Sequence, residues 1–169
     1  TAAIQAAIDA VASTGGTVNI PRGTYVLASG LVLNAANVRI TGDGKAGTVL
    51  SYTGSGTALR LGNLSSAFTA KDIIENLRIN GTAAVGAIGI DIQLIQDFAL
   101  HNVSISGFSG TNAEALRCSG SNGGMLTNVD AISSTLGVHY KVITAGGTYS
   151  CNQIVWIGGQ ITGNTQAIY

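Results

Sequence analysis

The sequence predicts an all-β fold, a single-stranded parallel β-helix with coils about 26 residues long and a short α-helix capping its N-terminal end. Three observations predict it. One motif recurs at that spacing, a second recurs in phase with it, and an amphipathic segment precedes both.

The amphipathic segment comes first. Residues 1–16 read TAAIQAAIDAVASTGG, and Ile4, Ala7, Ile8 and Val11 fall on one face of a helix. Gly15-Gly16 supplies the stop. Beyond it the pattern turns to β: Val18, Ile20 and Val26 are apolar members of Thr17–Leu27, interrupted by Pro21-Arg22-Gly23, where Pro belongs in a turn or at an edge. A solenoid exposes unpaired strand edges and an open apolar core at its end, and a short amphipathic helix covers both. The expected organisation is a cap over residues 1–16 and a β-helix over residues 17–169. Thr1 at the start, a single methionine at Met125 and an end within a strand motif at Tyr169 lead us to expect a fragment, truncated at the C-terminal end.

The first repeated motif is Asn37-Val38-Arg39-Ile40-Thr41-Gly42, then Asn76-Leu77-Arg78-Ile79-Asn80-Gly81, then Asn102-Val103-Ser104-Ile105-Ser106-Gly107, with Asn128-Val129-Asp130 opening a degenerate copy. The spacing is 39 residues and then twice 26. Ile154–Gly158 is a weaker fifth copy. The second motif runs Ala58-Leu59-Arg60-Leu61, Gly89-Ile90-Asp91-Ile92, Ala115-Leu116-Arg117-Cys118, Gly137-Val138-His139-Tyr140 and Ala167-Ile168-Tyr169. Two strand motifs per repeat, with a shorter third between them, describe one coil. A leucine-rich repeat places its Asn after the strand and uses leucine throughout, whereas here Asn precedes Val, Ile and Ala. Asn37, Asn76, Asn102 and Asn128 are expected to stack at one corner, since Asn tolerates left-handed backbone and its amide both donates and accepts.

Composition agrees. Charged residues are 9% of the chain against about 25% in an ordinary domain, and there are 24 Gly but one Pro. Eight basic residues balance eight acidic ones, so attraction to nucleic acid or anionic lipid is not expected. No apolar run approaches the 18 residues of a membrane span. Cys118 and Cys151 fit no metal spacing; free buried thiols are favoured over a disulfide. No catalytic triad, phosphate loop or metal cluster is visible, so neither cofactor nor metal is expected.

The opening TAAIQAAIDAVASTGGTVNIPRGTYVL, with its helix, Gly-Gly and Val-Asn-Ile-Pro-Arg-Gly-Thr-Tyr segment, and the later Asn-Val-Arg-Ile-Thr-Gly-Asp-Gly resemble pectate-lyase-superfamily β-helix domains. The subfamily is that of bacteriophage tailspikes and polysaccharide depolymerases. The resemblance is tight over residues 1–44 and is mainly periodicity beyond. It implies a right-handed coil, a polysaccharide partner, a homotrimer in the full-length protein, and a place on the virion tail or outside the cell. The expected function is binding and cleavage of bacterial surface glycan. A non-enzymatic structural or receptor-binding spike and a free pectate-lyase-like or glycoside hydrolase enzyme remain the alternatives, and hydrolase against lyase stays open.

Candidate site residues follow from strand alternation. With Leu59, Ile90, Leu116 and Val138 inward, Arg60, Asp91, Arg117 and His139 point outward and stack about 4.8 Å apart. Arg forks suit sugar hydroxyls or carboxylates, and Asp91 suits acid–base work. The rival reading is a solvated ladder in which Asp91 only pairs with its neighbours. Flanking arginines are expected to lower the Asp91 pKa, which favours a base or nucleophile. Glu114, three residues before Arg117, is the candidate second carboxylate. The first motif predicts another outward row of Arg39, Arg78, Ser104 and Asp130, with Trp156 a sugar platform, core filling or a subunit contact. Glu75 and His101, each just before a ladder Asn, are expected to stack. Catalytic candidates are therefore Asp91 and Glu114, and substrate-binding candidates Arg60, Arg117, His139 and Trp156.

Overall fold

A computed structural model of the chain describes residues 1–64, 69–144 and 148–168. The helix α1 (Ala2–Val11) leads into six coils. The first holds β1 (Gly16–Asn19), β2 (Gly23–Leu27) and β3 (Leu31–Leu33), and the second β4 (Val38–Thr41), β5 (Thr48–Tyr52) and β6 (Thr57–Gly62). The third holds β7 (Thr69–Ala70), β8 (Ile73–Asn80) and β9 (Ile88–Gln93), and the fourth β10 (Ile95–Gln96), β11 (Ala99–Ser106) and β12 (Glu114–Ser119). The fifth holds β13 (Met125–Ile132) and β14 (Leu136–Lys141), and the sixth β15 (Val155–Thr162) and β16 (Gln166–Ile168). Tyr169, in the last copy of the second motif, lies outside the described residues.

Named strands pair only in parallel and with their counterparts one coil away. One sheet follows β1-β4-β8-β11-β13-β15, with β2 and β5 alongside; the other follows β3-β6-β9-β12-β14-β16; β7 and β10 form the short third face. The core is made of columns of like residues. Val18, Ile40, Ile74, Leu100 and Leu126 form one, and Leu31, Leu59, Ile90, Leu116 and Val138 another. These side chains are buried. Each buried Leu or Ile stabilises by roughly 1.5–3 kcal/mol, repeated at every coil.

The helix covers the first coil as expected. Ile8 is buried, and Ile4 and Val11 pack against the same core. Gln5 also mimics a neighbouring strand: its Oε1 accepts from the Val32 amide at 2.8 Å and its Nε2 donates to the Val32 carbonyl at 2.9 Å. The exposed edge of β3 is thereby satisfied.

The Asn ladder holds for three of its four expected members. Asn102 Nδ2 donates to Asn76 Oδ1 at 2.9 Å, and Asn128 Nδ2 to Asn102 Oδ1 at 3.0 Å, with φ between 52° and 57° at all three. In the sixth coil Gly158, at φ 68°, takes the position opposite Asn128 and keeps the left-handed turn. Asn37 is a correction. The second coil inserts the corner 42–47 between β4 and β5, where later coils run one continuous strand. Gly42 and Gly44, not Asn37, meet Glu75 and Asn76 across the ladder. The first motif copy is therefore half a strand out of phase, which explains its 39-residue step.

The second outward row changes with it. Arg78, Ser104, Asp130 and Gln160 are in register, while Arg39 stands opposite Ile73 and pairs with Glu75 at 3.5 Å. Trp156 registers with Leu126 and packs against the core, extending that inward column rather than the outward row.

Candidate active site

The site lies on the outer face of the second sheet. Val32, Arg60, Asp91, Arg117 and His139 occupy successive positions across β3, β6, β9, β12 and β14, the last four as the in-phase copies of the second motif predict. Glu114 joins them through a slip in alternation. Ala115 and Leu116, although consecutive, both belong to the core. One coil earlier a Cβ on Gly89 would overlap Ile105 Cγ2, so that position too faces inward, beside inward Ile90. The strand turns its corner there, and Glu114 and Arg117 emerge on one face despite their odd separation.

Arg117 is the centre of the cluster. Its Nε donates to Glu114 Oε2 at 2.7 Å and its Nη2 to Glu114 Oε1 at 2.5 Å, a two-pronged pair. Its Nη1 lies 3.8 Å from Asp91 Oδ2. His139 Nδ1 stands 3.2 Å from Glu114 Oε2. Asp91 also accepts from Gln93 Nε2 at 2.7 Å and from Ser119 Oγ at 3.3 Å. Gln93 and Ser119 were not singled out in the sequence. The signal was there: each lies two residues beyond a member of the row and so shares its face.

Burial departs from expectation. Asp91 and Glu114 keep only 2% and 4% of their surface exposed, so this is no solvated ladder. The expected fall in the Asp91 pKa is reversed. Burial disfavours its anion and raises the pKa; Gln93, Arg117 and Ser119 oppose this and Glu114 adds to it. An aspartic acid that resists ionisation suits a proton donor better than a base. Arg60 stands beside Asp91 in register, with its buried Nε unbonded. Trp156 is not brought to this face; its Nε1 donates to the Gly158 carbonyl at 2.7 Å. His101 and Glu75 stack as expected, on the other sheet. Among the described residues no group of three His, Cys, Asp or Glu side chains could hold a metal ion. No helix among them is long and apolar enough to cross a membrane.

The chain matches the family described as rhamnogalacturonase A/epimerase, pectate lyase-like, over residues 1–168. The chain belongs to that family. It is also 30% identical over 134 residues to "Depolymerase 1, capsule KN3-specific" of Klebsiella phage KN3-1, covering 69% of this chain and 17% of the relative. The chain thus spans about a sixth of that relative's length. Among solved structures, ORF18 of Geobacillus virus E2 matches with a TM-score of 0.65 at 22% identity, covering 82% of this chain and 29% of that one. The A-module of the Azotobacter vinelandii mannuronan C-5 epimerase AlgE4 matches with a TM-score of 0.63 at 18% identity, covering 96% of this chain and 61% of that one. At these identities the two structures share the β-solenoid fold with this family member.

Proposed function

We propose that the chain is a segment of a phage tailspike depolymerase that binds bacterial surface polysaccharide on the outer face of its second sheet and cleaves it there. The carrying observation is that Asp91 and Glu114 flank one guanidinium, that of Arg117, with His139 against Glu114, on three consecutive coils. A polymer lying along the solenoid meets Arg60, Arg117 and His139 in turn, and their donors bind its hydroxyls or carboxylates. Asp91, whose carboxyl burial shifts toward the neutral form, serves as the acid toward the glycosidic oxygen. Glu114, held by Arg117 and His139, serves as the opposing carboxylate. The likeness to a capsule-specific phage depolymerase supports the substrate class and a place on the virion tail. Homotrimeric assembly is part of the same proposal.

The test uses the intact parent protein and capsular or O-antigen polysaccharide. Asp91→Asn and Glu114→Gln should keep glycan binding and lower the release of oligosaccharides by orders of magnitude. Wild-type turnover in both variants would remove the carboxylates from the chemistry and leave the cluster as a brace.

A further inference from the structure

The two cysteines lie 33 residues apart yet meet at one corner of the solenoid. Cys118 is on the inward face of β12, next to Arg117, and is buried. Cys151 lies in the connection between β14 and β15, and its Sγ is 2.8 Å from the Cys118 carbonyl oxygen. The chain on both sides of Cys151 is already held. Tyr149 and Ile143 exchange both backbone hydrogen bonds at 2.8 Å, the Asn152 amide donates to the Ser121 carbonyl at 3.2 Å, and the Gly123 amide donates to the Asn152 carbonyl at 3.1 Å. Gly120, at φ 62°, has no side chain to keep this segment away: a Cβ there would lie 2.9 Å from Tyr149 Cβ.

We infer that Cys118 and Cys151 are a redox pair that closes into an intramolecular disulfide under oxidising conditions, tying the segment that enters the last coil to the strand that carries Arg117. The local chemistry favours the exchange. The Cys118 thiol, first, and then the backbone amides of Ser121 and Gly120 favour the Cys151 thiolate and lower its pKa, against partial burial. Cys118 is pushed the other way by sharing that proton and by burial. Cys151, only partly buried, is the sulfur a small disulfide can reach and so the attacking one, while buried Cys118 resolves it. With a small disulfide such as oxidised glutathione, the Cys151 thiolate attacks one sulfur, its S–S bond breaks, and one glutathione leaves and takes up a proton. Cys118 then gives up its proton and attacks the Cys151 sulfur, displacing the second glutathione. Two protein thiols are oxidised and one glutathione disulfide is reduced to two thiols.

The test equilibrates the intact parent protein in glutathione buffers from fully reduced to fully oxidised, quenches in acid, alkylates and maps peptides by mass spectrometry. We expect a Cys118–Cys151 linked peptide pair that dithiothreitol releases, and a thermal midpoint several degrees higher in the oxidised form. In Cys118→Ser a glutathione adduct on Cys151 should accumulate, because nothing resolves it. The wild-type map decides the matter even where that variant does not fold. Alkylatable thiols at both positions at every ratio, an unresolved adduct on wild-type Cys151, or links only between chains would overturn the inference.

Discussion

Replacing Arg117 with methionine keeps the length and apolar stem of the side chain and removes its charge. In the wild type the guanidinium forms two short bonds to Glu114 and lies 3.8 Å from Asp91. The carboxylate side chains are 5% and 3% exposed, so water cannot replace the lost partner. Breaking a buried pair by removing one member costs about 3 to 5 kcal/mol, because the other charge stays buried and uncompensated. Two hydrogen bonds to a charged group, at about 1.5 to 3 kcal/mol each, give about 3 to 6 kcal/mol, which overlaps that range. An internal control is Arg39→Met, which removes the half-exposed partner of Glu75 in a 3.5 Å pair and should cost about 1 kcal/mol or less. The assay is urea unfolding of both variants beside the wild type at neutral and acid pH. At neutral pH Arg117→Met should lose several times more than Arg39→Met. The gap should narrow in acid, where Asp91, already raised by burial, becomes neutral and no longer needs a partner. Equal losses below about 1 kcal/mol in both variants would refute the reading of a buried, guanidinium-dependent cluster.

Three further outcomes test the scaffold. Ile8→Asp puts an unpaired carboxylate where the cap meets the core and should cost several kcal/mol by thermal melting; a variant that melts with the wild type would show that α1 covers nothing. Gly89→Ala should destabilise by about 1 to 3 kcal/mol in urea, since its Cβ would overlap Ile105 Cγ2 and the Ala115 carbonyl oxygen; an unchanged midpoint would show that this position does not face the core. Asp72 is fully buried, and desolvation raises its pKa from 3.8 to about 6 against the bond from the Val38 amide. The folded chain therefore holds this proton more tightly than the unfolded one, so the contribution is present below about pH 4 and lost as pH rises through about 6, roughly 3 kcal/mol in all. Asp72→Asn should flatten that part of a stability–pH profile; an unchanged slope between pH 4 and 7 would exclude Asp72 as its source.

By itself the sequence determined the coil length, the inward columns and the row of Arg60, Asp91, Arg117 and His139. A parallel solenoid is built by one translation, so matching positions of successive motif copies become neighbours about 4.8 Å apart, whether the copies are 22, 26 or 31 residues apart in the chain. The cap was legible for a similar reason, as an apolar stripe needs only the local helical period. Corners and burial needed the tertiary structure. The inserted corner 42–47 moved Asn37 and Arg39 half a strand out of phase, although their motif reads like its later copies. Trp156 carries no mark in the sequence to say which way it faces; its register with Leu126 puts it on the inward column. The slip at Ala115 and Leu116 breaks the alternation that sequence reading relies on, and only through it does Glu114 reach Arg117. The sign of the Asp91 shift turned on the same distinction. Its charged neighbour could be read from the spacing, but the desolvation that outweighs that neighbour is a sum over everything packed around the carboxyl, and no single strand encodes it.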